Sequence, residues 1–184
     1  AKAMGVAKMI VVVFMDNRLD KALELGADYV INGAKEDAVA KILELTGGKG
    51  ADLAIETAGT EITTNQAIQA VKKGSTIVLV GYGKTGMINT MMSLALDKEV
   101  TLQTIFRSRH LFPTAIEAVA AGKVNLKGIV TDVFDLDDIQ NAMDKSTHDT
   151  ANIVKAVVKI QWQAETPMKL SGILKKYKKN PLYD

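Results

Sequence analysis

Short continuous apolar runs alternate along this chain with stretches whose apolar residues recur every third or fourth position. The first run, Ile10-Val11-Val12-Val13, predicts a strand over 8–14. Leu19, Ala22 and Leu25 then fall at helical spacing and predict a helix over 17–25, which Asp16 or Asn17 can cap and Gly26 closes. A strand over 28–32 and a helix over 36–45, with Val39, Ile42 and Leu43 turned inward, repeat the unit. A loop over 46–50 delivers the chain to a strand over 51–56. Its Leu53-Ala54-Ile55 run is the pattern of a parallel strand covered on both faces. Thr57-Ala58-Gly59 then turns with no bulky side chain over the bend.

The alternation continues. Ala67, Ile68 and Val71 share one face of a helix predicted over 62–73, which Gly74 ends. A strand over 75–80 stops at Gly81-Tyr82-Gly83, and a looser segment with Met87, Met91, Met92 and Leu94 follows. A strand over 100–106 runs into Arg107. A helix over 112–121 has Pro113 in its first turn and Gly122 beyond its end. Strands alternating with helices predict an α/β architecture with a parallel sheet. Ligands of such sheets sit beyond the carboxyl ends of the strands.

Beyond Gly122 the style changes. Strands are predicted over 129–134 and 153–160, with a short helix over 137–145 whose first-turn acids Asp137 and Asp138 suit its dipole. From 161 onward, with Lys175-Lys176-Tyr177-Lys178-Lys179, the chain is a basic tail. At the other end, Ala1-Lys2-Ala3-Met4-Gly5 reads as the last turn of a helix with Gly5 as its cap, the pattern of a chain cut out of something longer. The organisation expected is therefore 1–122, 123–160 and 161–184.

Composition narrows the function classes. A length of 184 residues, 47% hydrophobic and 24% charged, is that of an ordinary globular chain. The net charge of +2 does not point to nucleic acid, and no apolar run reaches the roughly 18–20 residues that span a bilayer. No signal peptide pattern is visible, so the cytoplasm is the expected place. There is no cysteine, hence no disulfide and no thiolate metal ligand. His110 and His148 stand in no metal-ligand spacing and read as surface residues. The Asp132, Asp135, Asp137 and Asp138 group reads as helix-start acids before it reads as a cation site, and the methionines read as packing. No catalytic residue is named.

Four stretches in order carry a resemblance: residues 18–28, Glu56-Thr57-Ala58-Gly59, Val80-Gly81-Tyr82-Gly83 and Ile105-Phe106-Arg107. Together they resemble the medium-chain, zinc-containing alcohol dehydrogenases, and within them the sorbitol (polyol) dehydrogenase-like branch, over residues 1–160. The resemblance implies a Rossmann-like, doubly wound parallel sheet of order 3-2-1-4-5-6 that lacks its first, central strand and its Gly-rich loop. It implies that the zinc ligands lie in a domain outside these residues. The strands at 8–14 and 51–56 would flank the absent strand, and the expectation is that they close on one another.

The same resemblance implies a cofactor site for NAD or NADP, with NAD slightly favoured. Thr57, Ala58 and Gly59 would form the loop on the adenosine and ribose side. Gly81, Tyr82 and Gly83 would turn beneath the nicotinamide, and the backbone through Ile105 and Phe106 would hold its carboxamide. Arg18 would lie near the adenosine ribose, Arg107 near ribose and substrate, and Lys155 at the pyrophosphate. Glycine and alanine suit the close backbone approach a flat ring needs. Ordinary strand-end turns and solvated cations are the alternative reading of these residues. The position where the family places an acid for the ribose hydroxyls is Val13, which accepts no hydrogen bond, and Asp16 stands three residues on as a substitute. Two function classes follow: the cofactor part of a zinc-dependent alcohol or polyol dehydrogenase, inactive alone and weak in cofactor binding, or a non-enzymatic nucleotide-binding or assembly module. A homo-oligomer through the 100–106 edge strand is the expected assembly.

Overall fold

The computed structural model describes residues 1–83 and 86–160, in two compact units, Ala1–Thr131 and the residues from Asp132 onward. The basic tail expected over 161–184 lies outside the described residues. In the first unit the order is β1 (Ile10–Val13), α1 (Asp16–Glu24), β2 (Tyr29–Asn32), α2 (Ala38–Leu45), β3 (Ala51–Glu56), α3 (Glu61–Ala70), β4 (Val71–Leu79), α4 (Met92–Asp97), β5 (Thr101–Thr104) and α5 (Phe112–Ala120). The second unit holds β6 (Asp132–Asp135), α6 (Ile139–His148) and β7 (Ala156–Lys159). Every strand pair among the described residues is parallel.

Local chemistry sets the boundaries. The Asp37 carboxylate accepts from the amides of Val39 at 3.0 Å and Ala40 at 3.1 Å and so starts α2. Thr60 accepts from the Thr63 amide and starts α3. Lys2–Met4 is a single 3₁₀ turn stopped by Gly5 at φ 86°, as its sequence predicts. The core of the first unit is Ile68, Val71, Ile77 and Ala95, with Ala51, Ala54, Leu79 and Leu102 against it. A smaller cluster of Phe134, Ala142 and Ile153 holds the second unit.

Several expectations need correction. Helix α3 stops at Ala70, and β4 starts at Val71, not at Ser75. Val71 pairs with Ala51 before the register jumps, so a buried pairing draws the chain out of the helix early. The segment through the methionines contains α4, docked by Asn65, whose carboxamide accepts from the Met91 amide at 2.7 Å and donates to the Asn89 carbonyl. The strand predicted over 129–134 begins only at Asp132, after a 3₁₀ turn at Lys127–Ile129.

The parallel sheet is divided. β2 and β1 pair with each other, β3-β4-β5 form a second ribbon, and β1 and β3 do not pair. The expected direct closure is therefore wrong. Helix α2 already packs against α3, and drawing β1 onto β3 to the normal ~4.8 Å spacing would drive those helices together. Nor is β3 covered on both faces. Ala54 faces the core beneath α3, while Leu53 and Ile55, on the opposite face, are 47% and 54% exposed. The strand over 156–159 pairs with β6 in the second unit.

One contact closes the unit behind the site. The Lys98 ammonium donates to the carbonyls of Ile68 at 3.0 Å and Gln69 at 2.8 Å, two orphan acceptors at the C-terminal end of α3. Burial holds this lysine below the ordinary lysine range. Lys98→Met keeps the aliphatic stem and removes both bonds, and is expected to cost about 1–2 kcal/mol, read as a lower urea midpoint at unchanged slope.

Candidate functional site

The carboxyl ends of β3, β4 and β5 lie side by side, because their pairing registers place Glu56 beside Leu79 and Leu79 beside Thr104. The chain leaving each strand forms one part of the candidate site. Beyond β3, Thr57 and Ala58 are exposed and Gly59 is buried at φ +66°. Beyond β4, Gly81 and Gly83 are half-buried while the Tyr82 ring is 81% exposed. Beyond β5, Ile105 donates its amide to the Leu79 carbonyl at 3.2 Å, and Phe106 is 67% exposed.

Two of these turns touch through bare backbone. A Cβ at Gly81 would stand 2.0 Å from the Gly59 nitrogen, and one at Gly59 would stand 2.6 Å from the Tyr82 nitrogen. No side chain fits between them, so both positions require glycine for contact, and Gly59 for its φ as well. After β5 the backbone is strained. Arg107, Arg109 and His110 have φ of 51°, 27° and 59°, in the left-handed region that non-glycine residues seldom adopt. The Arg107 guanidinium lies 5.0 Å from the centre of the Phe106 ring, a cation–π distance.

The other sequence-predicted residues lie on other elements. Asp16 opens α1 beyond β1, and its carboxylate accepts from the Asn32 amide group and from the Lys35 ammonium, each at 2.7 Å. The hydrogen bond from Lys35, then that from Asn32, holds this carboxyl below the usual aspartate range. Asp16 thus faces the end of β2, with acceptor capacity already in use. Val13 ends β1 without an acceptor. Arg18 lies half-buried on α1. Lys155 lies exposed in the second unit, next to β7, and its carbonyl accepts from the Asp132 amide. His110 and His148 are exposed, and His148 contacts the Asp144 carbonyl of its own helix.

Glu56 is the residue that sequence reasoning passed over. Its side chain is 5% exposed and accepts from the amides of Ala58 and Gly59 and from the Thr63 hydroxyl. The signal was present in the sequence: an acid ending an apolar strand, followed by a small-residue turn and the Thr60 and Thr63 pair. The chemistry of the mouth is glycine backbone, two exposed aromatic rings and an arginine. This set fits a flat heteroaromatic group and its sugar. It does not fit zinc: among the described residues no group of three His, Cys, Asp or Glu side chains could hold a metal ion.

Comparison with known proteins decides the family. Residues 1–121 match the family described as zinc-binding dehydrogenase. The chain belongs to that family. An uncharacterized zinc-type alcohol dehydrogenase-like protein of Escherichia coli is 38% identical over 159 residues, covering 86% of this chain and 45% of the relative. The sorbitol dehydrogenase of Bacillus subtilis is 32% identical over 158 residues, again 86% of this chain and 45% of the relative. A solved Escherichia coli oxidoreductase of unknown specificity superposes with a TM-score of 0.81 at 38% identity, over 88% of this chain and 46% of that one. More distant structures, one from Escherichia coli complexed with NADH at 22% identity and one from Sinorhizobium meliloti bound to NADP at 23%, share the fold with TM-scores of 0.77. The chain spans about half the length of the curated relatives it matches. Its two parallel ribbons are a Rossmann-like α/β arrangement, with the break where the resemblance places a central strand.

The backbone contact between the turns gives a test. Gly81→Ala puts a methyl group on the Gly59 nitrogen, and is expected to destabilise the chain by at least about 2 kcal/mol. Gly86→Ala is the control for substituting a glycine, since nothing lies within 4 Å of its added Cβ. Its own φ of +72° adds only local strain. Urea unfolding of both variants measures the difference.

Proposed function

We propose that this chain supplies the nicotinamide-dinucleotide side of a zinc-dependent alcohol or polyol dehydrogenase. The observation that carries the reading is the meeting of three strand-end turns, with Gly59 against Gly81 and the Tyr82 and Phe106 rings exposed beside them. Family membership and the match to a sorbitol dehydrogenase support it. The cofactor that these turns would hold would supply hydride chemistry, taking a hydride from a secondary alcohol or giving one to the corresponding ketone. Residues 57–59 would carry the adenosine and ribose side, 81–83 would underlie the nicotinamide, and Ile105 and Phe106 would hold its amide. Arg18, Arg107 and Lys155 would supply the cations for ribose and phosphate. Residues 123–160 would return toward the catalytic domain. We assign the zinc chemistry to residues outside this stretch, since among the described residues no group of three His, Cys, Asp or Glu side chains could hold a metal ion.

Cofactor choice follows from the ribose end. Val13 offers no acceptor, and Asp16 offers a carboxylate that already holds Asn32 and Lys35. We keep NAD as the favoured partner on the strength of that carboxylate, with NADP as the alternative. Four main-chain donors at the first two turns are engaged internally: Ala58 and Gly59 with the Glu56 side chain, and Val80 and Gly81 with its carbonyl. Binding by the 184-residue chain should accordingly be saturable but weaker than about 1 μM. Titration with NADH, followed by its fluorescence, measures this. Failure to saturate at any concentration would remove the nucleotide reading. Growth of NADH absorbance with sorbitol and NAD would show that the chain catalyses alone, against expectation.

Self-association is proposed through β5. It is the outer strand of its ribbon. Because the Ile105 amide points to β4, the neighbouring Thr104 amide points away from it, along the open edge. Thr104→Pro removes that donor and is expected to convert a dimer to a monomer in light scattering. A wild-type chain that is monomeric at all concentrations defeats the proposal.

A further inference from the structure

Glu56 is a carboxylate with 5% exposure and, among the described residues, no cation paired with it. A buried charge needs donors, and here three donors come from two places, the turn that follows β3 and the first turn of α3. The Ala58 amide donates to Oε1 at 2.8 Å. The Gly59 amide donates at 2.9 Å to Oε1 and 3.1 Å to Oε2. The Thr63 hydroxyl of α3 donates to Oε1 at 2.7 Å. The main-chain carbonyl of the same residue accepts from the amides of Val80 at 2.8 Å and Gly81 at 3.1 Å. One residue therefore holds its own turn, the turn after β4 and the first turn of α3.

The hydroxyl network extends the clamp. With the Thr63 proton directed at Glu56, the Thr60 hydroxyl, 2.7 Å away, donates to the Thr63 oxygen, and Thr60 in turn accepts the Thr63 amide that starts α3. The helix cap and the carboxylate form one chain of bonds. Its geometry is tight, because the turns it joins meet at Gly59 and Gly81 with no room for a methyl group.

We infer that Glu56 is the positioning residue of the cofactor site, fixing the 57–59 and 81–83 turns against each other through its side chain and carbonyl so that Thr57 and Tyr82 face outward. This rests on the cofactor reading above. The role requires a carboxylate. Both oxygens face donors, and a glutamine would set its own N–H group against the Gly59 amide or the Thr63 hydroxyl. Thr63 is the second member: serine keeps its hydroxyl, and valine does not.

The test uses the intact chain as wild type, Glu56→Gln, Thr63→Val and Thr63→Ser. Three quantities are measured: the urea midpoint, amide hydrogen exchange residue by residue, and NADH affinity. Exchange at Ala58, Gly59 and Gly81 is expected to quicken about tenfold or more in Glu56→Gln and Thr63→Val, under conditions where Val11 and Ile31 in the other ribbon exchange as in wild type. NADH affinity should fall by a similar factor. Thr63→Ser should restore both. A purely structural glutamate would instead speed exchange along all of β3 and β4 in proportion to lost global stability, and that result overturns the inference. So does wild-type exchange at the three turn amides in Glu56→Gln. If the amides respond as expected and the wild-type chain takes no NADH, the cofactor reading fails and the assignment of Glu56 to that site falls with it, while the clamp between the turns remains measured.

Discussion

A strand in a sheet interior must satisfy two edges, and the first unit turns on where that requirement is met. β4 is paired on both sides and carries the core residues Val71 and Ile77. β1 and β3 are each paired on one side, and the sheet breaks between them. Unpaired amides and carbonyls are tolerated at an edge that water reaches and are costly where it does not. The exposure of Leu53 and Ile55 on β3 is the side-chain counterpart of the same break. Each ribbon is instead anchored by its own crossover helices, β1 and β2 by α1, and β3 and β4 by α3.

The division explains why the candidate site gathers at one ribbon. The ends of β3, β4 and β5 are fixed relative to each other by continuous parallel pairing, so their turns form a single surface. Asp16 and Arg18 belong to the other ribbon, and the contacts of Asp16 run to Asn32 and Lys35 at the end of β2. The proposed ribose acceptor and the proposed ring-binding turns are thus carried by separately paired pieces of one unit. Among the described residues no helix is long and apolar enough to cross a membrane.

Strain and glycine mark the same surface from two directions. Gly59 and Gly81 are placed where backbones meet, a constraint on volume. Arg107, Arg109 and His110 are held at positive φ, a constraint on conformation that the rest of the fold must sustain.

The sequence by itself determined the elements. Short apolar runs specify β1, β2 and β3 within a residue or two, and Gly5 and Gly122 mark ends that left-handed φ then realises. These signals act within a few residues, so they are readable in a short window. The family resemblance and the small-residue turns after β3 and β4 were legible for the same reason. Only the tertiary structure decided which edges pair. A strand's partner lies some twenty residues away, and Leu53-Ala54-Ile55 reads as doubly covered whether or not a helix lies over both faces. It also decided that Val71 leaves α3 to pair with Ala51, against a helical periodicity that continues through it. The partners of Glu56 and Asp16 belong to that second class: an acid in a sequence shows its charge, and only the folded chain brings the donors that it holds.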